Sequence, residues 1–365
     1  MPGTNPFNPS FGRVPPIFLS RDEQLGAVAN GIKAPNSPFQ TTLVYGQRGV
    51  GKTAFLADVC RSFSDDSSWI VVNLPPSGNL LQGLAQQIVS KSPADLRKVL
   101  ESLDGISVSV FGLQFGYDRC DLLGTDYQTV LERLLQRLKD KGISVLVAID
   151  EVTASEDIRL FASVYQILMR ENLPIALIMT GLPKNVSELQ NDKVLTFLLR
   201  SARVMLPPLD LVSVKISYKR TFEHGGRIVD EDTLDCMARA TQGYAYAFQL
   251  LGYLLWETGA ETIARGTFDE ILDTYREQLY RNAYAKIYEV LSPMDQQFLL
   301  AMAHENQPAI AMSAVAERTG KSSNYLSNYR RRLIDDEVIQ PAGYGSVRFT
   351  LPFFADYVLD RERLY

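Results

Sequence analysis

Eight residues near the amino end combine the types that hold a phosphate chain: Gly46, Gln47, Arg48, Gly49, Val50, Gly51, Lys52 and Thr53. Their spacing is G-x-x-x-x-G-K-T. A short apolar run (Leu43, Val44, Tyr45) precedes them, and an amphipathic run opens at Ala54. Glycines let the backbone turn so that successive N–H groups point at phosphate oxygens. A helix starting at that point adds further free N–H groups and the positive end of its dipole. Lys52 brings a point charge to the β- and γ-phosphates, and the Thr53 hydroxyl offers a ligand to Mg²⁺. Strand, loop and helix in this order separate the stretch from a chance match and predict a site for ATP and its product ADP.

A second set of reactive residues closes a later apolar run. The stretch 143–149 is followed at once by Asp150 and Glu151. Acids at the carboxyl end of a buried parallel strand suit phosphoryl transfer. Asp150 is expected to hold Mg²⁺, directly or through water, and Glu151 to take a proton from the attacking water. The apolar run 173–179 ends in Thr180, whose hydroxyl either positions water and senses the γ-phosphate or caps a turn. Arg200 and Arg203 precede the apolar residues 204–206. Either one can offer charge to the site of a neighbouring copy, and either also reads as a solvent-facing arginine.

These residues need a scaffold, and the hydrophobic patterning predicts one. Apolar runs at 43–45, 69–73, 143–149, 173–179 and 204–206 are interleaved with helical periodicity from 54 onward and at 80–90, 127–141 and 160–171. That alternation predicts a parallel α/β sheet covered on both faces. Ser20 and Glu23 form an S-x-x-E capping box that opens a helix to about residue 33. Residues 104–120 break the pattern with period-2 alternation about Gly112, and read as a β-hairpin insertion that either packs on the domain or reaches a partner. After Pro207-Pro208 only helical periodicity is legible, through 283. The predicted division is an extended arm (1–19), an α/β domain (20–208), a helical bundle (209–284) and a C-terminal module (285–365).

Within that module, a helix at 313–319 ends at Gly320, and Lys321-Ser322-Ser323 opens another that runs to Ile334. Two helices joined by a tight glycine turn predict a helix-turn-helix, and a hairpin around Gly343-Tyr344-Gly345 makes it a winged helix. The second helix of such a pair enters the major groove of DNA. Lys321, Ser322, Ser323 and Asn324 suit bases or phosphates, while Asn328, Arg330, Arg331 and Arg348 suit the backbone. Two points stand against this reading: Asp335, Asp336 and Glu337 follow immediately, and winged helices also serve as protein-interaction modules.

Composition narrows the remaining classes. The chain has 365 residues, 46% of them apolar and 22% charged, which describes globular protein of two or three domains. A net charge of −5 provides no global basic field, so nucleic acid has to be met by a local patch. No run approaches the roughly 20 apolar residues of a membrane span, and the first residues lack a signal peptide's apolar core. Cys60, Cys120 and Cys236 are too scattered for a disulfide framework or a zinc site. A reducing cytoplasm is the expected compartment.

In order, GQRGVGKT, VLVAIDE, a strand ending in Thr180, arginines before an apolar strand and Pro-Pro-Leu, and then helical segments resemble the AAA+ superfamily. The closest likeness is to origin-recognition-type initiator ATPases and to STAND-like archaeal and bacterial ATPases, over roughly residues 15–365. The resemblance implies an ASCE-type P-loop ATPase with slow hydrolysis, an all-α lid and a winged helix. In the initiator likeness the winged helix binds double-stranded DNA; in the STAND likeness it packs on the lid or on a protein partner. The resemblance also implies that Arg21 lies near the adenine, within a box where Ser20 replaces the usual glycine. It implies that Arg200 or Arg203 acts as an arginine finger across a homo-oligomer. Residues 242–246 resemble the lid segment that carries a sensing arginine or a Gly-x-Pro, but Ala245 stands where proline would. Tyr244 is then read as packing on the nucleotide or within the lid core.

Overall fold

The strands predicted to carry the reactive residues form one parallel sheet. In the computed structural model, which describes residues 4–10, 17, 19, 21–94, 97, 124–192 and 195–364, these strands are β1 (Thr41–Tyr45), β2 (Trp69–Leu74), β3 (Ser144–Ile149), β4 (Ile175–Gly181) and β5 (Ala202–Met205). Their order is β2-β3-β4-β1-β5. β4 is buried along its whole length and β3 nearly so, as expected of aliphatic strands covered on both faces. β4 lies between β1 and β3, pairing Thr180 with Val44 and Met179 with Ile149. The carboxyl ends of β1, β3 and β4 therefore share one edge, the usual ligand edge of an open α/β sheet.

The helices of this body are α1 (Asp22–Lys33), α2 (Lys52–Ser64), α3 (Leu80–Lys91), α4 (Gly124–Lys139), α5 (Glu156–Arg170) and α6 (Pro183–Asn191). α5 shows why they form: Ser155 caps the Ile158 N–H, and Ile158, Phe161, Ala162, Tyr165 and Leu168 bury one stripe. That helix begins before the predicted residue 160, because the cap and not the first apolar residue sets its start. α1 begins at Asp22 behind Arg21, whose own side chain makes no cap bond. Ser20 of the expected capping box and the expected hairpin at 104–120 lie outside the described residues.

The chain divides into two compact bodies: Ser20–Tyr45 with Lys52–Met205, and Met1–Leu19 with Gly46–Gly51 and Leu206–Tyr365. The second body begins with α7 (Leu211–His224), α8 (Glu231–Thr241), α9 (Ala245–Glu257) and α10 (Arg265–Leu279). A two-residue parallel ladder, β6 (Ile228–Val229) with β7 (Thr262–Ile263), interrupts the expected purely helical stretch; strands that short show no period-2 signal. α10 continues through a π turn at Tyr280–Tyr284 into α11 (Ala285–Glu289), so the expected boundary near 285 falls inside a continuous helical run.

The C-terminal module follows: α12 (Pro293–Ala303), β8 (Ile310–Ala311), α13 (Met312–Thr319), α14 (Ser323–Asp335), β9 (Ile339–Pro341), β10 (Ser346–Phe349) and α15 (Phe354–Leu364). Its strands form an antiparallel sheet in the order β8-β10-β9. α15 goes beyond the sequence expectation, although Phe354, Tyr357 and Val358 carry helical spacing. It joins the module to the helical segment through aromatic contacts: Tyr284 lies 5.1 Å from Phe354 and Tyr280 lies 5.2 Å from Tyr357, centre to centre. One apolar core runs through both.

Residues 4–10 belong to this core as well. Phe7 is 2% exposed among Tyr218, Phe222, Phe248 and Trp256. Asn5 donates to the Tyr253 carbonyl at 3.2 Å, and the Asn8 N–H donates to Gln249 at 2.9 Å. Gly252 makes room, since a Cβ there would stand 2.4 Å from the Phe7 ring. Among the described residues, no helix is long and apolar enough to cross a membrane.

Candidate nucleotide site

The loop Gly46–Gly51 leaves β1, and α2 opens at Lys52. Gly49 and Gly51 adopt φ of +81° and +97°, the left-handed region that glycine enters without strain. Lys52 is buried on the first turn, followed by Thr53 and Ala54, while Phe55, Leu56 and Val59 fasten α2 to the sheet. The helix start thus places its free N–H groups directly after the glycine turn.

In the α/β body the acidic pair is built from three elements. The Thr53 hydroxyl on α2 donates to Asp150 Oδ2 at 2.7 Å. The Thr180 hydroxyl at the end of β4 donates to Asp150 Oδ1. The Glu151 N–H reaches Asp150 Oδ1 at 3.1 Å and Thr180 Oγ1 at 3.2 Å. Glu151 itself takes φ +55°, a conformation rare outside glycine that turns the chain sharply away from β3 and leaves the side chain exposed. Both oxygens of Asp150 are thereby fixed by hydroxyls from different elements.

The donor set fits Mg²⁺. It consists of hard oxygens only, one hydroxyl and one carboxylate already in contact, leaving most positions to water and phosphate as this cation prefers. Among the described residues, no cluster of three or more His, Cys, Asp or Glu side chains offers a protein cage for a different metal. The sequence leaves Thr180 either positioning water and sensing the γ-phosphate or capping a turn. It is fully buried, and its hydroxyl is committed to Asp150 and Glu151.

The second body holds the loop Gly46–Gly51 at consecutive residues. The Tyr244 hydroxyl donates to the Arg48 carbonyl at 2.7 Å, and the Tyr246 N–H donates to the Gly49 carbonyl at 3.0 Å. Burial pushes the Tyr244 hydroxyl pKa up, which keeps it a proton donor. A Cβ on Gly49 would stand 2.3 Å from that hydroxyl. Tyr244 therefore grips loop backbone, the contact that its lid-core reading lacked. The Gln47 N–H donates to Glu337 Oε2 at 2.6 Å, across 290 residues of sequence. The Gln47 side-chain amide donates to the Asp336 carbonyl at 3.3 Å and to Thr350 Oγ1 at 3.4 Å.

Glu337, Thr350 and Tyr246 are residues that the sequence did not mark as loop contacts. Glu337 was visible only as part of an acidic run, and no local spacing connects it to Gln47. Arg21 occupies the N-cap position of α1 without a side-chain cap bond, and burial pushes its guanidinium pKa down to about 10. Arg200 ends a 3₁₀ turn and Arg203 lies on the edge strand β5; both are exposed. Among the described residues, neither arginine is brought to Asp150 or Glu151.

On the C-terminal module, Lys321, Ser323, Asn324, Asn328 and Arg331 are exposed along α14, and Arg330 is half-buried. The Ser322 hydroxyl caps the helix by accepting from the Tyr325 N–H, so its acceptor role is spent locally. Asn328 accepts from Arg331 at 3.2 Å. Arg348 lies exposed on β10, opposite Gln340. Arg332 pairs with the buried Asp295 at 2.5 Å while its own side chain stays about half exposed. The face from Lys321 to Arg331 carries basic and amide groups and no acid.

Residues 17–178 match the family model of the AAA ATPase domain, and residues 281–358 match a domain of unknown function, DUF8462. The chain thus contains an ATPase domain. No curated protein matches the sequence. Among solved structures, a Walker-type ATPase of Pyrococcus abyssi is 18% identical with a TM-score of 0.62, covering 94% of this chain and 96% of that one. The ORC2 protein of Aeropyrum pernix, in its ADPNP–ADP complexes, is 13% identical with a TM-score of 0.57, covering 98% of each chain. At these identities the likeness is one of fold.

Proposed function

We propose, with an AAA ATPase domain in residues 17–178 as the premise, that this chain is an ATP-hydrolysing switch whose output is a winged helix that contacts duplex DNA. The observation that carries the catalytic half is the network of Thr53, Thr180 and Glu151 about Asp150. Gly46–Gly51 and Lys52 hold the phosphates. Thr53 and Asp150 hold Mg²⁺, which supplies charge neutralisation at the phosphate oxygens. Glu151 accepts the proton of a water whose oxygen bonds the γ-phosphorus as the bond to the bridging oxygen breaks, releasing ADP and phosphate. Thr180 keeps Asp150 oriented.

Glu151→Gln is the direct test. Turnover should fall about 10²- to 10⁴-fold while ATP binding persists. Hydrolysis at the wild-type rate would remove Glu151 from the role of base.

The DNA half rests on the acid-free face of α14, with Arg348 on the wing. A mobility-shift titration of the full chain against duplex DNA should show binding that weakens steeply as salt rises. No shift at low salt would sink this half alone. One observation favours a second reading, in which the winged helix is a packing module as in STAND-type switches: it shares its aromatic core with the helical segment. Under that reading the same titration gives no shift, while ATP turnover stays intact.

A further inference from the structure

We infer that Glu337 is a specificity-determining residue of the nucleotide site, an internal anion on the phosphate loop that sets its preference between diphosphate and triphosphate. The inference rests on the reading of Gly46–Lys52 as that loop. A loop of this type works because its N–H groups face one way and attract negative charge. Here the N–H of Gln47, the second residue of the motif, already donates to a carboxylate at 2.6 Å. The carboxylate is delivered by the C-terminal module and has no counterpart within the motif.

Its placement is built rather than incidental. Glu337 sits at φ +55° in the turn between α14 and β9. Its N–H bonds the Ile334 carbonyl at 2.9 Å, and its carbonyl accepts from the Thr350 hydroxyl. Gln47 is 7% exposed, with its side-chain amide directed to Asp336 and Thr350 of the same module. A non-glycine residue held left-handed by two neighbouring elements, with its carboxylate on a phosphate-loop N–H, is a strained arrangement of the kind found at switches.

The energetics follow from like charges. Adding a γ-phosphate brings further negative charge to a loop that already holds a carboxylate, and in a partly buried setting such repulsion is only weakly screened. Docked Glu337 therefore disfavours triphosphate relative to diphosphate. By linkage, triphosphate disfavours the docked Glu337 by the same factor. The γ-phosphate becomes the signal that loosens the module from Gln47, and its loss on hydrolysis lets the contact re-form. Of the acidic run that argued against DNA binding in the sequence, Glu337 thus has a different task on the loop, while Asp335 ends α14 and stays exposed.

The test titrates the full chain with fluorescent mant-AMPPNP and mant-ADP in Mg²⁺, using wild type, Glu337→Gln, Glu337→Ala and Lys52→Ala. Glu337→Gln keeps shape and hydrogen bonding but removes charge. It should tighten mant-AMPPNP about 5- to 100-fold and leave mant-ADP within about twofold. Equal changes for both nucleotides, or none, would overturn the proposal. Hydrogen exchange of a peptide spanning Gln47, without nucleotide, provides the second readout: Glu337→Ala should speed its exchange, and unchanged exchange would show that the contact does not hold the loop. The underlying reading fails separately. If wild type binds neither nucleotide, or Lys52→Ala weakens neither, the site assignment falls and takes the proposal with it.

Discussion

Thr180 illustrates how much a single hydroxyl can organise. It is fully buried at the end of β4, donates to Asp150 and accepts the Glu151 N–H. Thr180→Val keeps the shape and removes both interactions, leaving polar groups of the acidic pair without that partner. Urea denaturation should register a loss of about 1–3 kcal/mol, and ATP turnover should fall with a raised Mg²⁺ requirement. Unchanged Mg²⁺ dependence would mean that Thr180 does not orient Asp150. Tyr244→Phe is the matching test on the loop. It deletes the bond to the Arg48 carbonyl, worth about 1 kcal/mol, and should weaken nucleotide binding about fivefold in a fluorescence titration.

At the scale of elements, two attachments decide how the second body holds together. Residues 4–10 carry no secondary structure, yet Phe7 fills a ring of four aromatic side chains on α7 and α9. Phe7→Ala should cost about 3–5 kcal/mol, read as a lowered thermal midpoint; a shift of under a degree would mean that the arm is not docked in solution. The turn from β1 into α2 is the other attachment. Gly49→Ala places a Cβ in the left-handed region and against Tyr244, so it should impair nucleotide binding even though it changes no phosphate ligand. Much of this was legible from local pattern: the alternation of apolar runs and helical periodicity, the glycine turn and the acids closing β3. The docking of Phe7 was not, because a lone phenylalanine between prolines has no periodicity to reveal its partner.

For the molecule as a whole, the central question is what the nucleotide moves. The helical segment and the C-terminal module share one core, with Tyr280 and Tyr284 meeting Tyr357 and Phe354, so they should respond to nucleotide together. Under the proposal above, the Gln47–Glu337 contact is where that unit reads the loop. On the DNA side, Lys321→Ala or Arg331→Ala should reduce the salt slope of duplex binding by about one unit each and weaken all sequences alike. An unchanged slope would place those residues away from phosphates. If Arg200 or Arg203 acts across a subunit boundary, mass measurement in ATP should show an oligomer, and adding an excess of Arg203→Ala, Arg200→Ala chains should depress wild-type turnover; a strict monomer excludes such a finger.

The sequence by itself determined the arrangement of reactive groups that depends on neighbours along the chain. The glycine turn, Lys52 and Thr53 must adjoin to work, and Asp150 and Glu151 must close a buried strand, so composition and spacing reveal both. The parallel sheet followed from the same local logic, since strands covered on both faces have to be continuously apolar. Tertiary structure alone decided which distant groups meet. It gave Thr180 to Asp150, Tyr244 to Arg48 and Glu337 to Gln47, contacts that link residues about 30 to 290 positions apart. A hydrogen bond selects its partner by position in space, and a carboxylate within an acidic run looks the same in sequence whether it faces solvent or a phosphate loop.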